Sequence, residues 1–365
     1  ILSTFLFILR IFFTGYLMKS FNSDTCQGFL QTGQTSCFTT DGKETACPGS
    51  GQDGEYRLGC PWPSARFLPQ EATVSDLLTG LSWTRNANLA EFPMTWQEAF
   101  DFITALNIQN YLGYDDWRLP NRKEMHSLMS YQAKRPSLPI GHPFLNIFLG
   151  WYWTSTTAAS NPAYAWYIHL EGARMFYGRK DSRYLLWPVR GRSPVLVRTG
   201  QSQCYGMDGR IIQAEKTGQD GELQAGRTWP QPRFSVNGPI VHDRLTKLCW
   251  LKDGGLAQEP VDWETALAII TELNRRQQGG LNNWQLPNIN ALESLVDCST
   301  HSPALPARHP FTHVRDEYWS STTSYFEPDW AWVLYLNKGA LGVGIKHEKN
   351  FHVWPVAPAY TLPGT

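Results

Sequence analysis

No Cys-x-x-Cys pair occurs among the seven cysteines, so neither a zinc ribbon nor a thioredoxin-like redox motif is encoded. There is no Gly-x-Ser-x-Gly elbow, and no Gly-rich phosphate loop precedes a helix, which removes the usual signatures of serine hydrolases and nucleotide enzymes. Net charge is also lacking: Lys+Arg and Asp+Glu both total 32. Nucleic-acid binders normally carry a basic excess, so nucleic acid is not an expected partner. A collagen-like Gly-X-Y tract is missing as well, so trimerisation through a triple-helical stalk is not implied. The one long apolar stretch, residues 1–17, is short for a membrane span and reads as the core of an export signal, cleaved or retained as an anchor. Membrane contact is expected only through that segment, with residues 1–31 as signal or anchor plus linker.

What the chain does have is a copy of itself. Trp117-Arg118-Leu119-Pro120-Asn121 returns as Trp284-Gln285-Leu286-Pro287-Asn288, an offset of 284 − 117 = 167 residues. The same offset carries Trp62-Pro63 onto Trp229-Pro230, Arg66-Phe67 onto Arg233-Phe234, and Trp187-Pro188-Val189 onto Trp354-Pro355-Val356. Trp153-Thr154-Ser155-Thr156-Thr157 meets Trp319-Ser320-Ser321-Thr322-Thr323 at 166, after a one-residue slip. Seven pairs of the 16 tryptophans match in this way, leaving Trp151 and Trp330 alone. A period this long is a whole domain rather than a solenoid unit. The expected organisation is therefore domain 1 at 32–197, domain 2 at 198–358 and a short tail at 359–365.

Each copy opens with a turn-rich lead that shares Gly-Gln-Asp-Gly-Glu at 51–55 and 218–222. A strand is expected over Leu77–Trp83 and its echo, Arg244–Trp250. Thr95 with Glu98 forms a capping box ahead of the helical stripe Trp96, Ala99, Phe100, Ile103 and Leu106; Asp262 caps the second copy's version. Pro120 holds its predecessor extended, and Asn121 with Glu124 starts another helix, so the repeated motif reads as architecture. Short alternating strands follow, at Trp151–Thr157, Tyr164–Leu170, Arg174–Tyr177 and Tyr184–Val189. Helices followed by antiparallel strands make each copy α+β, with two helices packed on a short-stranded antiparallel sheet.

Candidate functional residues are few. Between Glu171 and Arg192 the bases Arg174, Arg179, Lys180, Arg183, Arg190 and Arg192 outnumber Glu171 and Asp181, six against two. Guanidinium forks suit sulfate, carboxylate or phosphate, and the interleaved Tyr177 and Tyr184 suit sugar rings. Arg174, Arg179, Lys180, Arg183, Tyr177 and Tyr184 are the expected ligand-binding set. Glu327-Pro328-Asp329 offers oxygen ligands for calcium, a weaker signal; otherwise no cofactor is expected. His301, His309, His313, His347 and His352 crowd the second copy and read as turn residues rather than a metal site, since His309 is matched by His142 where no cluster exists. Ser155 and Ser321 read as hydrogen-bonding groups of the sheet. Cys37 and Cys47 are expected to form a disulfide. Cys204 has lost the corresponding partner to Ala214, and Cys249 with Cys298, both special to copy 2, form the second expected pair.

In one order, and twice, the motifs Trp-Pro-x-x-Arg-Phe, Trp-x-Leu-Pro-Asn, Trp-[Thr/Ser]-Ser-Thr-Thr and Trp-Pro-Val resemble the bacterial Lcl C-terminal domain family, typified by the C-terminal domain of the Legionella collagen-like adhesin. The resemblance implies a secreted or cell-surface domain of the bacterial envelope, a C-type-lectin-like fold akin to that of formylglycine-generating enzymes, and carbohydrate binding of the sulfated-glycan kind. It implies no catalytic residues, and an enzyme is not expected. The expected function is an adhesion module for acidic or sulfated glycans. The alternative is a structural subunit of a surface filament or envelope complex, binding a surface protein and open to homo-oligomer formation.

Overall fold

The computed structural model describes residues 28–359; the expected signal or anchor at 1–17 lies outside the described residues, as does Cys26. Copy 1 begins with a two-stranded hairpin, β1 (Cys37–Phe38) and β2 (Glu44–Thr45), and one helical turn, α1 (Asp53–Tyr56). Then come β3 (Phe67–Pro69), β4 (Thr73–Asp76), β5 (Ser82–Thr84), the helices α2 (Trp96–Ile108) and α3 (Arg122–Ser127), and strands β6 (Trp151–Thr157), β7 (Tyr164–His169), β8 (Met175–Arg179) and β9 (Val189–Arg190). Copy 2 repeats the order: β10 (Cys204–Tyr205), β11 (Ile211–Ile212), α4 (Asp220–Leu223), β12 (Phe234–Asn237), β13 (Ile240–Asp243), β14 (Leu248–Leu251), α5 (Trp263–Arg275), α6 (Ile289–Glu293), β15 (Glu317–Thr323), β16 (Trp330–Tyr335), β17 (Ala340–Ile345) and β18 (Val356–Pro358). The fold is α+β in two similar halves.

Local chemistry sets the helices as the sequence suggests. Both capping boxes form, Thr95 with Glu98 and Asn121 with Glu124, and Asp262 and Asn288 accept from Thr265 N and Ala291 N in copy 2. The expected strand at Leu77–Trp83 is instead a turn leading into β5. Asp76 Oδ1 accepts from Leu78 N at 3.0 Å, and Gly80 takes φ +74, so the chain reverses between β4 and β5. The Trp-Pro-x-x-Arg-Phe motif braces this reversal. Arg66 donates to both Asp76 oxygens (3.1 and 2.9 Å) and to Ser127 O (2.6 Å), and Arg233 repeats the arrangement on Asp243 and Ser294 O.

Each half has its own four-stranded antiparallel sheet, ordered β3-β4-β5-β9 and β12-β13-β14-β18. The remaining strands do not stay separate. They merge into one six-stranded antiparallel sheet, β15-β16-β17-β8-β7-β6, joined where Leu341 pairs with Met175. These two residues are equivalent in the repeat (341 − 175 = 166), so the halves meet about a pseudo-twofold axis. Arg122, fully buried, reinforces the seam: it donates to Gly339 O and lies 4.1 Å from the Trp166 ring.

The leads are exchanged between the halves. In copy 1's lead, Gln34 bonds both the N–H and the C=O of Thr323, and Asp53 accepts from Thr322 Oγ1 (2.7 Å) and Asn288 Nδ2 (3.1 Å). Reciprocally, Gln201 bonds both backbone groups of Thr157, Asp220 accepts from Thr156 Oγ1 (2.7 Å), and Ala225 O accepts from Asn121 Nδ2. The Trp-[Thr/Ser]-Ser-Thr-Thr motif exists for this crossing. A bulge in β6 and β15 turns Thr156 and Thr322 so that each hydroxyl accepts from the first N–H of its own α3 or α6 while donating to the other copy's aspartate. Ser155 contributes its backbone, donating to Pro120 O, so the hydroxyl work falls to the neighbouring threonines.

Burial pushes the Asp220 carboxyl up to about 6, against two hydroxyl donors that lower it. A carboxyl raised in the fold contributes stability that is complete below its ordinary value near 3.8 and is lost as pH rises through about 6. His126 opposes it, since burial lowers that imidazole to about 4 and folding then loses stability on acidification. The two are separated by comparing Asp220→Asn with the parent in urea titrations between about pH 7.5 and about pH 4. The parent should gain about 2–2.5 kcal/mol on the variant as pH falls. A pH-independent difference would mean that Asp220 is solvated.

Candidate functional site

The predicted basic set does not assemble as one face. Lys180 is the clearest correction: it is fully buried, its Nζ donates to Tyr205 O (3.1 Å) and Gly206 O (3.2 Å), and it sits 3.9 Å from the Trp96 ring. Burial drops this amine to about 7. Lys346 does the same in the other half, donating to Phe38 O and Thr39 O over Trp263, so both lysines clamp the exchanged lead hairpins. Their match at an offset of 166 is the sequence signal that marks this pair as architectural. Four arginines of the stretch are each met by a carboxylate: Arg174 by Glu327 (3.5 Å), Arg179 by Asp181 (2.6 Å), Arg183 by Glu98 (2.9 Å) and the half-buried Arg190 by Asp116 (2.6 Å). Glu327, Glu98 and Asp116 lie outside the stretch counted in the sequence. Tyr177 packs edge-on to Trp166, and Tyr184 to Trp153 and Tyr167.

The calcium candidate Glu327 and Asp329 lies in the loop before β16. Glu327 faces Arg174, and among the described residues no group of three or more His, Cys, Asp or Glu could hold a metal ion. The histidines do structural work: His309 stacks on Phe311 as His142 does on Phe144, and His313 pairs with Asp253. Cys37 and Cys47 form the expected disulfide, with Cα atoms 5.2 Å apart. Cys60 is disulfide-bonded too, while Cys204 is a free, buried thiol. Cys249 and Cys298 do not pair: both are free, and they lie in different hydrophobic clusters. Cys249 Sγ lies 3.2 Å from His242 Nδ1, and burial pushes the Cys298 thiol up to about 12.

The structure offers a different site, a cleft of about 420 Å³ in the first half, within the range of small-ligand pockets. One wall is α2 and the Trp117–Leu119 segment; Gly191 and Arg192 form the rim, and the exchanged lead of copy 2 (216–225) closes the other side. Phe100, Ile103, Leu119 and Leu223 give it an apolar floor, while Asp115, Asp116, Arg118, Arg192, Lys216 and Glu222 supply charge. Much of that charge is already used. Arg118 holds Glu124 (2.6 Å), Asp116 holds Arg190, and Glu222 accepts from the backbone N–H groups of Lys216 and Gly218. Arg192 and Lys216 are exposed and have no carboxylate partner among the described residues.

The repeat provides an internal control. At the equivalent positions of the other half, Asp115, Asp116, Arg118, Arg192 and Lys216 become Asn282, Asn283, Gln285, Ala359 and Gly49, and Glu222 alone is kept, as Glu55. Glu55 accepts from Gly49 N and Gly51 N, so the retained acid has the structural task in both halves. Five charges that the other half does without thus gather at one cleft, four from copy 1 and Lys216 from the lead of copy 2. Of these, sequence inspection singled out Arg192 alone, as part of the basic stretch, because residues 115–118, 192 and 216 come together only through the crossing of the second lead.

The family model described as the Lcl C-terminal domain matches residues 72–190 and again 239–357. Arg192 and Lys216 fall between the two matched ranges. No curated protein matches the chain.

Proposed function

Because the chain belongs to the Lcl C-terminal domain family, and twice over, we propose that this adhesin-related extracellular module binds an acidic or sulfated glycan in the copy 1 cleft. The observation that carries the reading is the pair of unpartnered cations, Arg192 and Lys216, on the rim of an apolar-floored cleft whose counterpart in the other half keeps neither cation. A guanidinium fork and an ammonium suit a sulfate or carboxylate. The apolar floor of Phe100, Ile103, Leu119 and Leu223 suits the C–H side of a sugar ring, and Asp115 can accept from its hydroxyls. The Cys37–Cys47 disulfide fits an oxidising, secreted or surface location. We read each half as a C-type-lectin-like unit, on the family resemblance together with its helices packed on antiparallel strands.

The test is binding of heparin-like and neutral glycans across a salt series by the parent and by Arg192→Glu/Lys216→Glu. The parent should bind the sulfated set with an affinity that falls as salt rises, and the double reversal should lower that affinity about tenfold or more. Unchanged binding by the variant sinks the cleft assignment. Absence of any glycan binding would favour the second reading, a structural subunit meeting protein. That reading has its own support in the exposed apolar group Ile140, Leu145, Phe148 and Leu149, since Leu145 and Phe148 give way to Thr312 and Arg315 in copy 2.

A further inference from the structure

A second hollow, about 100 Å³, opens where the two halves meet and shares no residue with the cleft. Trp151, His169, Glu171, Gly172 and Arg174 line it from copy 1, and Phe326 closes it from the β15–β16 loop of copy 2. Trp151 is one of the two tryptophans without a counterpart in the repeat. The other fourteen pack or brace the fold in pairs, whereas Trp151 is half-exposed at the start of β6, held by Tyr167 (ring centroids 4.2 Å apart) and His169 (4.4 Å). Its equivalent is Glu317, and His169, Glu171 and Arg174 become Tyr335, Asn337 and Ala340. The symmetric position on the other half therefore lacks both the aromatic platform and these polar groups.

The polar frame has a definite character. Arg135 pairs with Glu171 (2.5 Å) and stacks 5.0 Å from Phe326, while Arg174 pairs with Glu327 (3.5 Å). Two cations and two anions leave no net charge, so nothing here selects an anion. His169 Nδ1 is tied to the backbone of Glu171, and Nε2 has no partner among the described residues. The hollow thus presents two aromatic rings, donors on Arg174, acceptors on Glu171 and a ring nitrogen of either role. A hydroxyl of a sugar is both donor and acceptor, and a pyranose adds an apolar C–H face that lies well on indole. The hollow is too small for a whole drug-sized ligand but takes the face and edge of one ring.

We infer that this seam hollow is a saccharide subsite for a neutral pyranose residue, with Trp151 as the stacking platform and Glu171 and Arg174 as hydroxyl partners. It rests on the glycan-binding reading but not on the cleft. Because Phe326 comes from the other half, the subsite exists only when both copies are docked, which gives the duplicated chain a site that neither copy has alone.

The experiment is saturation-transfer NMR of the full chain with the methyl glycosides of glucose, galactose, mannose and N-acetylglucosamine, followed by titration of whichever binds. One of the four should bind with little salt dependence, and Trp151→Ala should weaken it about tenfold. Arg174→Ala should weaken the same sugar with the fold intact, and it serves as the deciding variant if Trp151→Ala lowers the Tm. Arg192→Glu/Lys216→Glu should leave this binding unchanged. If that double variant abolishes it while Trp151→Ala and Arg174→Ala do not, the sugar sits in the cleft: the subsite is refuted and the glycan reading survives. If none of the four sugars binds, the subsite is refuted, and heparin-like binding by the parent then decides the cleft separately.

Discussion

Asp76→Ala and Asp243→Ala should each cost about 3–5 kcal/mol of stability, a large share of the total that holds a domain of ordinary size together. The arginine left behind is the reason. Arg66 and Arg233 are about 5% exposed, and their aspartates are completely buried. Removing the carboxylate strands a guanidinium where water cannot reach it. The loss also frees the turn, since Asp76 accepts from Leu78 N and Asp243 from Leu245 N and Thr246 Oγ1. Replacing both partners together, as Arg66→Met/Asp76→Leu, should recover much of the loss, because it is the unpaired charge that is costly. Denaturant midpoints of the three proteins measure this. A single variant within about 1 kcal/mol of the parent would show that the pair is hydrated rather than sealed.

Cutting the chain after residue 197 should not release two independent domains. Residues 32–197 without the second lead lose Asp220, Gln201 and Ala225 as partners of Thr156, Thr157 and Asn121, and Lys180 loses the carbonyls of Tyr205 and Gly206. The edge strand β8 loses β17, and Arg122 is stranded without Gly339 O. The isolated half is expected to unfold or to pair with a second copy of itself through the same pseudo-twofold contacts. Light scattering and NMR dispersion distinguish these from the outcome that contradicts the exchange, a folded monomer. Mixing the two separately expressed halves should restore one folded complex, since every exchanged contact is then available.

Much of this was legible in the residues. The duplication, the α+β class and the capping boxes at Thr95 and Asn121 rest on local pattern, and a cap is satisfied within four residues of itself. The architectural reading of Trp-x-Leu-Pro-Asn held for the same reason: Trp117 and Leu119 are buried and Asn121 caps α3. The Cys37–Cys47 bridge closes a ten-residue span around a turn, again a local matter. Counting charge along 171–192 worked less well, because that window contains the arginines and omits Glu98, Asp116 and Glu327, which the fold brings to them.

The sequence alone determined that the chain is two copies of one α+β unit, with the helices, turns and aromatic core positions of each, since these follow from short-range periodicity and caps. Only the tertiary structure decided that the leads cross, that Lys180 is a buried clamp, that Cys249 and Cys298 stay apart, and that the charges of copy 1 face one cleft. Those outcomes depend on which surfaces meet between segments apart in the chain, from 25 residues for Lys180 and Tyr205 to 289 for Gln34 and Thr323. A hydroxyl, an ammonium or a carboxylate takes its role from the partner it finds there, and no local pattern specifies that partner.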